Sequence, residues 1–195
     1  MVLKTREKLI EVARQLFAHK GVENTTMNDI AAASDKGRRT IYTYFKNKRE
    51  IYNAVIERES ENILEKLREV QQSNLPPAEK LALGLKRRFE TVTQLSQRQD
   101  TIRSLFIRDF RRIEKIRRLV SEKEKEILQS ILNEGIALEK FDPEQAKRLP
   151  ALAKVLFQGN DYFNIKADAE ERANSAELID EAVNYIVKGI LIRKD

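Results

Sequence analysis

Cysteine is absent from this 195-residue chain, and histidine occurs once, at His19. Without cysteine the chain forms no disulfide and no thiolate metal site, which is compatible with a reducing cytoplasm. A histidine zinc site or a serine–histidine–aspartate triad has almost no residues to draw on, and no glycine-rich phosphate loop is present. We therefore predict no metal, no cofactor and no catalytic residue, and we expect the protein not to be an enzyme.

Glycine and proline are also scarce, with six and four residues in the whole chain. Few turn residues mean few turns, so long helices are favoured over many short strands. No apolar run reaches the roughly 18 residues that span a bilayer, and the N-terminus lacks the apolar segment of a signal peptide. With 41% hydrophobic and 35% charged residues, we expect a soluble, cytoplasmic, all-α protein without a membrane partner.

Positive charge is concentrated at the beginning of the chain. The first 50 residues contain eleven Lys and Arg against six Asp and Glu, so they hold +5 of the total net charge of +6. A basic module attached to a nearly neutral body indicates nucleic acid or another anionic surface as the partner.

Within this basic module, residues 27–45 (MNDIAAASDKGRRTIYTYF) have the pattern of two short helices joined by a tight turn. Thr26 is the expected N-cap of the first helix, because its hydroxyl can accept a hydrogen bond from the first turn. Residues 35–37 (DKG) break that helix, since Asp and Gly both tolerate positive φ. Two helices that cross steeply need a small residue at their closest approach, which Ala31 supplies.

The second of these helices, expected over residues 38–44, combines an apolar face with groups that suit DNA. Ile41 and Phe45 are expected to face the core. Arginine can donate two hydrogen bonds to guanine in the major groove, while Thr and Tyr hydroxyls suit phosphates. The groups predicted to face outward are Arg38, Arg39, Thr40, Thr43 and Tyr44. Taken alone, the segment also fits a helical hairpin with a solvated basic face.

The residues around this element extend the pattern. They include AxxLF at residues 13–17, KG at 20–21, TTMNDIA at 25–31 and TIYTYFKNK at 40–48. The segment from Leu9 to Ile51 closely resembles the DNA-binding domain of the TetR family of bacterial transcriptional repressors. The rest of the chain resembles that family only in the number, length and order of its helices.

This resemblance implies an all-α homodimer of TetR-like fold. Each subunit is expected to have a three-helix helix-turn-helix DNA-binding domain, residues 1–50, and a larger helical effector-binding and dimerisation domain, residues 51–195. The implied function is that of a transcriptional regulator, in the family usually a repressor. It is expected to bind a near-palindromic operator in double-stranded DNA as a dimer and to be released by an unknown small-molecule effector.

Carried over position by position, the resemblance implies two kinds of DNA contact. Arg38 and Arg39, near the start of the recognition helix, should reach base edges. Contacts to phosphates are expected from Thr26, Tyr42, Tyr44 and Lys48. Thr40 and Thr43 are further candidates for DNA contact.

The turn is where this chain departs from the family. Relatives usually have a glycine, an apolar residue and a capping serine at the positions of Asp35, Lys36 and Gly37. We expect the stem of Lys36 to pack while its amine reaches a phosphate, and Gly37 to serve as the N-cap.

The last two helices are the expected dimer contact, through residues 144–191. The final helix, expected over residues 176–191, has an apolar stripe at positions 179, 182, 183, 186, 187 and 190. This stripe is wide enough to pack on its own body and on a partner. The polar stretch before it, residues 164–175, is predicted to be an exposed loop.

The effector pocket is expected in the body, between helices over residues 78–96, 101–111, 113–139 and 144–163. The residues that could line it are Phe89, Leu105, Phe106, Phe110, Phe157 and Tyr162. Each of them also suits the ordinary hydrophobic core. A rival interpretation of the whole chain is a basic helical adaptor that binds protein or an anionic surface, which would show no preference for any DNA sequence.

Overall fold

The structure, a computed structural model, describes residues 2–98 and 110–192. The regular secondary structure in these ranges is α-helical, so the predicted all-α fold class is confirmed. The helices are α1 (Val2–Lys20), α2 (Met27–Ala33), α3 (Arg38–Tyr44), α4 (Lys48–Gln71), α5 (Pro77–Arg98), α6 (Phe110–Ala137), α7 (Pro143–Lys166) and α8 (Ala169–Ile190). None of these helices combines the length and the apolar character that crossing a bilayer requires.

The described residues form two compact units. The first comprises residues 2–60, 98 and 110–116, and the second comprises residues 61–97 and 117–192. Helices α4 and α6 each contribute residues to both units. The predicted functional division into domains 1–50 and 51–195 stays a prediction.

Helix α1 presents one apolar stripe to the core of the first unit. Leu9, Ala13 and Phe17, spaced four residues apart, are fully buried. From α4, Tyr52 packs edge-to-face against Phe17, with ring centroids 6.1 Å apart. The other buried members are Ile10, Ala18, Met27, Ile30, Ala31, Ile41, Phe45, Ile51, Ala54, Val55 and Ile56. Helices α2 and α3 are therefore held on a scaffold made by α1 and the first turns of α4.

The second unit has its own core, formed by the apolar faces of α5 to α8 and the end of α4. Its buried members are Leu64, Leu67, Leu81, Leu85, Phe89, Ile127, Leu128, Ile131, Leu132, Phe141, Ala146, Leu149, Ala153, Phe157, Val183 and Ile190. The inward positions that helical spacing predicts for α5, at Leu81, Leu85 and Phe89, are confirmed.

The turn between α6 and α7 is closed around Phe141, whose side chain is fully buried. The Gly135 carbonyl accepts hydrogen bonds from the N–H groups of Lys140, at 2.8 Å, and Phe141, at 3.2 Å. The Phe141 ring approaches so closely that a Cβ added at Gly135 would lie 2.1 Å from one of its carbons. Close packing therefore requires glycine at position 135.

We expect Gly135→Ala to lower the free energy of unfolding by about 1–3 kcal/mol, because the added methyl group displaces Phe141 from its buried site. Gly84→Ala is the matched control, since a Cβ there would meet its nearest neighbour, Val70, at an ordinary 3.9 Å. Alanine also favours a helix over glycine by roughly 1 kcal/mol. Urea denaturation followed by circular dichroism measures both variants, and equal stability of the two would refute the packing argument.

The predicted loop over residues 164–175 is wrong. Helix α7 continues to Lys166 and α8 begins at Ala169, so a two-residue linker separates them. The Asp168 carboxylate accepts a hydrogen bond from the Glu171 N–H, and the Glu171 carboxylate accepts one from the Asp168 N–H, both at 2.9 Å. This reciprocal cap starts α8. Glu170, Glu171 and Asn174, which suggested a loop, are exposed on that helix.

Candidate nucleic-acid interface

The first helix of the helix-turn-helix, α2, begins with a reciprocal cap. The Thr26 hydroxyl accepts a hydrogen bond from the Asp29 N–H at 3.1 Å, and the Asp29 carboxylate accepts one from the Thr26 N–H at 2.8 Å. The hydrogen bonds with Thr26, aided by the Lys20 ammonium 3.3 Å away, lower the pKa of the Asp29 carboxyl. Thr26 is exposed, and a Thr hydroxyl is a suitable group to contact a phosphate oxygen.

The turn between α2 and α3 has the geometry expected of Asp35 and Gly37. Asp35 adopts a positive φ of 55°, and the N–H of Lys36 donates to the Ala31 carbonyl at 2.9 Å. Gly37 is the N-cap of α3, with extended backbone angles, and its carbonyl accepts from the Thr40 N–H at 2.9 Å. The positive φ of Asp35 and the N-cap position of Gly37 are confirmed. Lys36 is half-buried, and its phosphate contact stays a prediction.

Helix α3 is anchored by apolar side chains on one face and leaves polar groups on the other. Ile41 and Phe45 are buried in the core of the first unit. Arg38, Arg39 and Thr43 are exposed on α3, as predicted, and so is Tyr42. Thr40 and Tyr44, which were also predicted to face outward, are half-buried, and Tyr44 packs against the core of the first unit. The guanidinium of Arg38 lies 5.8 Å from the ring centroid of Tyr42. One surface of α3 thus offers two arginines and two hydroxyl groups to a partner.

Lys48 has partners within the chain. Its ammonium group donates to the carbonyls of Val22, at 2.6 Å, and Glu23, at 3.2 Å, which ties the start of α4 to the segment between α1 and α2. An ammonium group has three N–H donors, so one remains for a phosphate. Asn47 caps α4 by accepting from the Glu50 N–H at 3.0 Å. The phosphate contact of Lys48 stays a prediction.

Arg6 is a cation near α3 that the sequence pattern did not indicate. Its guanidinium lies 5.4 Å from the ring centroid of Phe45, the residue that follows α3. Arg6 is on α1, far from Phe45 in the chain, so helical periodicity cannot relate the two. Its position makes Arg6 a further candidate for a phosphate contact.

The residues predicted to line an effector pocket do not all come together. Phe89 and Phe157 are buried in the second unit and meet edge-to-face, with ring centroids 5.3 Å apart. Tyr162 is exposed on α7. Outside the described residues lie Leu105, Phe106 and the side chain of Phe110. The pocket itself stays a prediction.

The second unit contains a buried ionic cluster beside these two rings. The guanidinium of Arg88 on α5 donates to both oxygens of Asp161 on α7, at 2.9 and 3.0 Å, and to Glu124 on α6. The side chains of Arg88 and Glu124 are 5% and 6% exposed. Arg117 brings a second guanidinium within 3.5 Å of Asp161. The ring centroid of Phe157 lies 4.8 Å from the Arg88 guanidinium carbon.

Burial and pairing act in opposite directions within this cluster. Burial raises the pKa of the Glu124 carboxyl, against the lowering effect of Arg88. Burial also acts to lower the pKa of Arg88, but Asp161 and Glu124 outweigh it, and that pKa lies above its ordinary value. Arg88 therefore stays charged and depends on its two carboxylate partners.

This cluster was not predicted from the sequence, although the sequence contains a signal for it. Arg88 falls between Leu85 and Phe89 on the apolar stripe of α5, and Asp161 follows Phe157 by one helical turn on α7. Charged residues at stripe positions interrupt an otherwise apolar face. Such interruptions indicate buried charges that need partners from other helices.

Residues 2–98 and 110–192 contain no cluster suited to a metal ion and have a groove on α6. No group of three or more His, Cys, Asp or Glu side chains there is placed to share a metal ion. A groove on the surface of α6 does not involve the aromatic residues of the predicted pocket. Its lining residues are Glu122, Lys125, Glu126, Gln129, Ser130 and Asn133.

Known sequences match the N-terminal part of the chain. The sequence model of the family described as "Bacterial regulatory proteins, tetR family" matches residues 9–55. The "Probable acrEF/envCD operon repressor" of Escherichia coli (strain K12) is 51% identical over 51 residues, which are 26% of this chain and 23% of that protein. The alignment thus spans about a quarter of the length of this curated relative.

Solved structures match nearly the whole chain. A transcriptional regulator from Cytophaga hutchinsonii ATCC 33406 aligns with a TM-score of 0.76 and 26% identity, over 95% of this chain and 98% of that chain. A transcriptional regulator of the TetR/AcrR family from Thermobifida fusca YX-ER1 aligns with a TM-score of 0.72 and 22% identity, over 97% and 98% of the two chains. Because the second alignment has only 22% identity, it supports similarity of fold alone. Together they confirm the predicted fold class, a helix-turn-helix domain followed by a larger helical domain.

Proposed function

We propose that this chain is a transcriptional repressor of the TetR family of bacterial regulatory proteins and that it binds a near-palindromic DNA operator as a homodimer. A small effector releases it from the DNA, and it acts in the cytoplasm. The observation that carries the proposal is the capped and anchored α3, which exposes Arg38, Arg39, Tyr42 and Thr43.

Base reading is assigned to the two arginines at the start of α3. A recognition helix contacts base edges with its N-terminal residues, and Arg38 and Arg39 are the first two residues of α3. Each guanidinium can donate two hydrogen bonds to the O6 and N7 atoms of guanine. Ile41 and Phe45 hold the opposite face of the helix in the core, so the arginines are presented by a rigid element.

Phosphate binding is assigned to the groups around α3. The residues proposed to contact phosphates at the start of α2 and on α3 have hydroxyl groups as donors. Those in the turn and on α4 have ammonium groups as donors. These groups are Thr26, Lys36, Tyr42, Tyr44 and Lys48, with Thr40 and Thr43 as additional candidates. The excess of basic residues in the first 50 positions adds an attraction that weakens with salt.

Dimerisation is assigned to an apolar surface on α7 and α8, which we call the dimer face. Val155 is 65% exposed and Tyr185 is 75% exposed in the single chain. The other large apolar members are Leu152, Tyr162, Phe163 and Leu178. Exposed apolar groups at this density are typical of protein–protein contacts. A homodimer through this face uses the same patch on both chains, within the predicted residues 144–191.

Release by an effector is assigned to a shift between two conformations of the dimer. An effector that binds one conformation more tightly increases its population. Helix α4 contributes residues to both compact units, so it is the proposed link between effector binding and the recognition helices. The reciprocal expectation is that operator DNA weakens effector binding by the same factor.

Two substitutions separate base reading from phosphate binding. We expect Arg39→Ala to reduce affinity for a site selected from random DNA by about 1–3 kcal/mol and to relax base preference at one position. Lys36→Ala should lower the affinity for every DNA sequence by a similar factor and should reduce the salt dependence of binding. Lys36 is preferred to Lys48 here because the Lys48 ammonium also holds two backbone carbonyls.

Lys140→Ala is the matched control, because it removes an equal charge from an exposed position outside the first unit and outside α7 and α8. Electrophoretic mobility shift at two salt concentrations measures all three variants on selected and scrambled DNA. If Arg39→Ala and Lys36→Ala reduce the affinity by the same factor on every DNA sequence, the assignment of base reading to Arg39 and of phosphate binding to Lys36 is wrong.

A further inference from the structure

We propose that the second unit binds an organic carboxylate, and that the carboxylate of this ligand takes the place of Asp161 between Arg88 and Arg117. The biological role of the ligand, as the effector, rests on the function proposed above, whereas the binding itself does not. The proposal starts from an internal carboxylate that two arginines hold at the edge of a buried cluster.

The geometry of this contact is that of a carboxylate receptor. Arg88 donates to the two Asp161 oxygens at 2.9 and 3.0 Å, one nitrogen to each oxygen. This parallel, two-point contact suits any carboxylate, because the planar guanidinium fork matches the spacing of the two oxygens. Asp161 therefore occupies the position that an external carboxylate would take.

Access to solvent distinguishes the two carboxylate partners of Arg88, because Asp161 is partly exposed and replaceable whereas Glu124 is buried and fixed. The side chains of Arg117 and Asp161 are 21% and 19% exposed, whereas Arg88 and Glu124 are almost completely buried. An incoming anion can contact Arg117 first and then displace Asp161. Glu124 stays in place and keeps Arg88 paired during the exchange.

Exchange keeps the charges of the cluster balanced. One carboxylate enters and another leaves, so no buried arginine is left without a partner, which would be strongly destabilising. The released Asp161 side chain is already partly exposed and can be hydrated. A cationic ligand lacks this route, because the position over the Phe157 ring is already held by the Arg88 guanidinium.

The surroundings select a ligand with an apolar body. Phe157 lies 4.8 Å from the Arg88 guanidinium, and Phe89 packs edge-to-face against it. Ligand sites commonly pair one charged group with aromatic walls, which bind the apolar part of the ligand. The ligand class is thus an organic acid with an aliphatic or aromatic portion.

The position of Asp161 connects this exchange with dimer geometry. Asp161 directly precedes Tyr162 and Phe163 of the dimer face on α7. While Arg88 holds Asp161, α7 is tied to α5 by two hydrogen bonds. Displacing Asp161 removes this tie, so α7 can shift and carry the dimer face with it. An acidic ligand would therefore favour a second dimer conformation.

Rescue by a small carboxylate tests whether the Asp161 position accepts an external anion. Asp161→Ala should lower the thermal midpoint by roughly 10 °C in sodium chloride. Sodium acetate at the same ionic strength should restore about 3 °C once its concentration is roughly ten times its Kd. If the alanine variant does not fold, Asp161→Ser replaces it in the same experiment.

Glu124→Ala is the matched control, because it removes a carboxylate from the same arginine at a position that solvent does not reach. We expect acetate and chloride to act alike on this variant and on the wild type. Acetate that stabilises the Asp161 variant no more than chloride does overturns the proposal, and so does equal rescue of Glu124→Ala.

Binding of a longer acid to the wild-type protein tests the ligand class. Isothermal titration calorimetry without DNA compares decanoate with decanol and decylamine, which have the same chain length. We expect decanoate to bind about tenfold to a hundredfold more tightly than either, and Arg117→Gln to remove most of that preference. Equal or tighter binding of decanol or decylamine overturns the proposal. Failure of DNA binding would contradict the proposed function but would leave these results unchanged.

Discussion

Arg88→Met lowers the free energy of unfolding by about 3–5 kcal/mol, because it leaves the carboxylates of Glu124 and Asp161 without their main partner. The unpaired Glu124 carboxylate contributes most of this cost, because it is almost completely buried. Asp161 still has the guanidinium of Arg117 nearby. Methionine fills a similar volume, so the loss comes from the unpaired charges and not from a cavity. Urea denaturation followed by circular dichroism measures this change.

Two comparisons isolate the cause of that loss. Arg87→Met, the adjacent position on α5, breaks an exposed ion pair with Glu69 and should change stability by no more than about 0.5 kcal/mol. The triple variant Arg88→Met, Glu124→Leu, Asp161→Leu removes all three charges together and should be close to wild type in stability. A stable Arg88→Met variant, or a triple variant as unstable as the single one, would contradict the pairing argument.

We expect Val155→Glu combined with Tyr185→Glu to convert the proposed dimer into a folded monomer and to weaken binding to the proposed operator by at least about a hundredfold. Both side chains are largely exposed in the single chain, so glutamate is tolerated in the monomer. In the dimer, the same glutamates are buried without partners, which is strongly unfavourable. A monomer contacts only one half-site. It therefore lacks the gain in affinity that comes from linking two binding events, which is about 10²–10⁴-fold.

Light scattering at micromolar concentration and mobility shift on the selected operator measure the two effects. Leu138→Glu is the control, because Leu138 is a large exposed apolar residue outside α7 and α8. We expect this control to remain dimeric and to bind DNA normally. A dimeric double variant, or a monomer with undiminished operator affinity, would rule out the assigned dimer face.

Features set by nearby residues could be predicted from the sequence. Thr26 caps α2, Asp35 adopts a positive φ, and Gly37 precedes α3, as predicted. Each of these depends on backbone geometry and on hydrogen bonds within four positions. Sequence alone was therefore sufficient for the framework of the candidate DNA interface.

Contacts between distant residues could not be predicted. The Lys48 ammonium donates to the carbonyls of Val22 and Glu23 on an earlier segment, and the Arg88 guanidinium on α5 donates to the Asp161 carboxylate on α7. Such pairs depend on how helices pack, and helical periodicity does not determine which stripe faces which. A charge on an apolar stripe predicts that a partner exists but not its identity.

Helix α8 shows a second limit of prediction from helical periodicity. Val183 and Ile190 of its predicted stripe are buried in the chain's own core, and Ile179, Ile186 and Val187 pack against that core. The exposed apolar residues Leu178 and Tyr185 were not included in that stripe. A helix that packs on both its own body and a partner has two apolar faces, and one broad periodic signal does not separate them.

The most direct test of the account compares two affinities at one salt concentration. One is for the DNA site selected by the protein from a random pool, and the other is for a scrambled duplex of the same length and base composition. Sequence-specific regulation by a dimer predicts a selected site with two symmetric half-sites, two chains bound per site, and a preference of at least about 10³-fold. Equal affinity for both duplexes would contradict sequence-specific regulation and would favour a basic adaptor that binds any anionic surface.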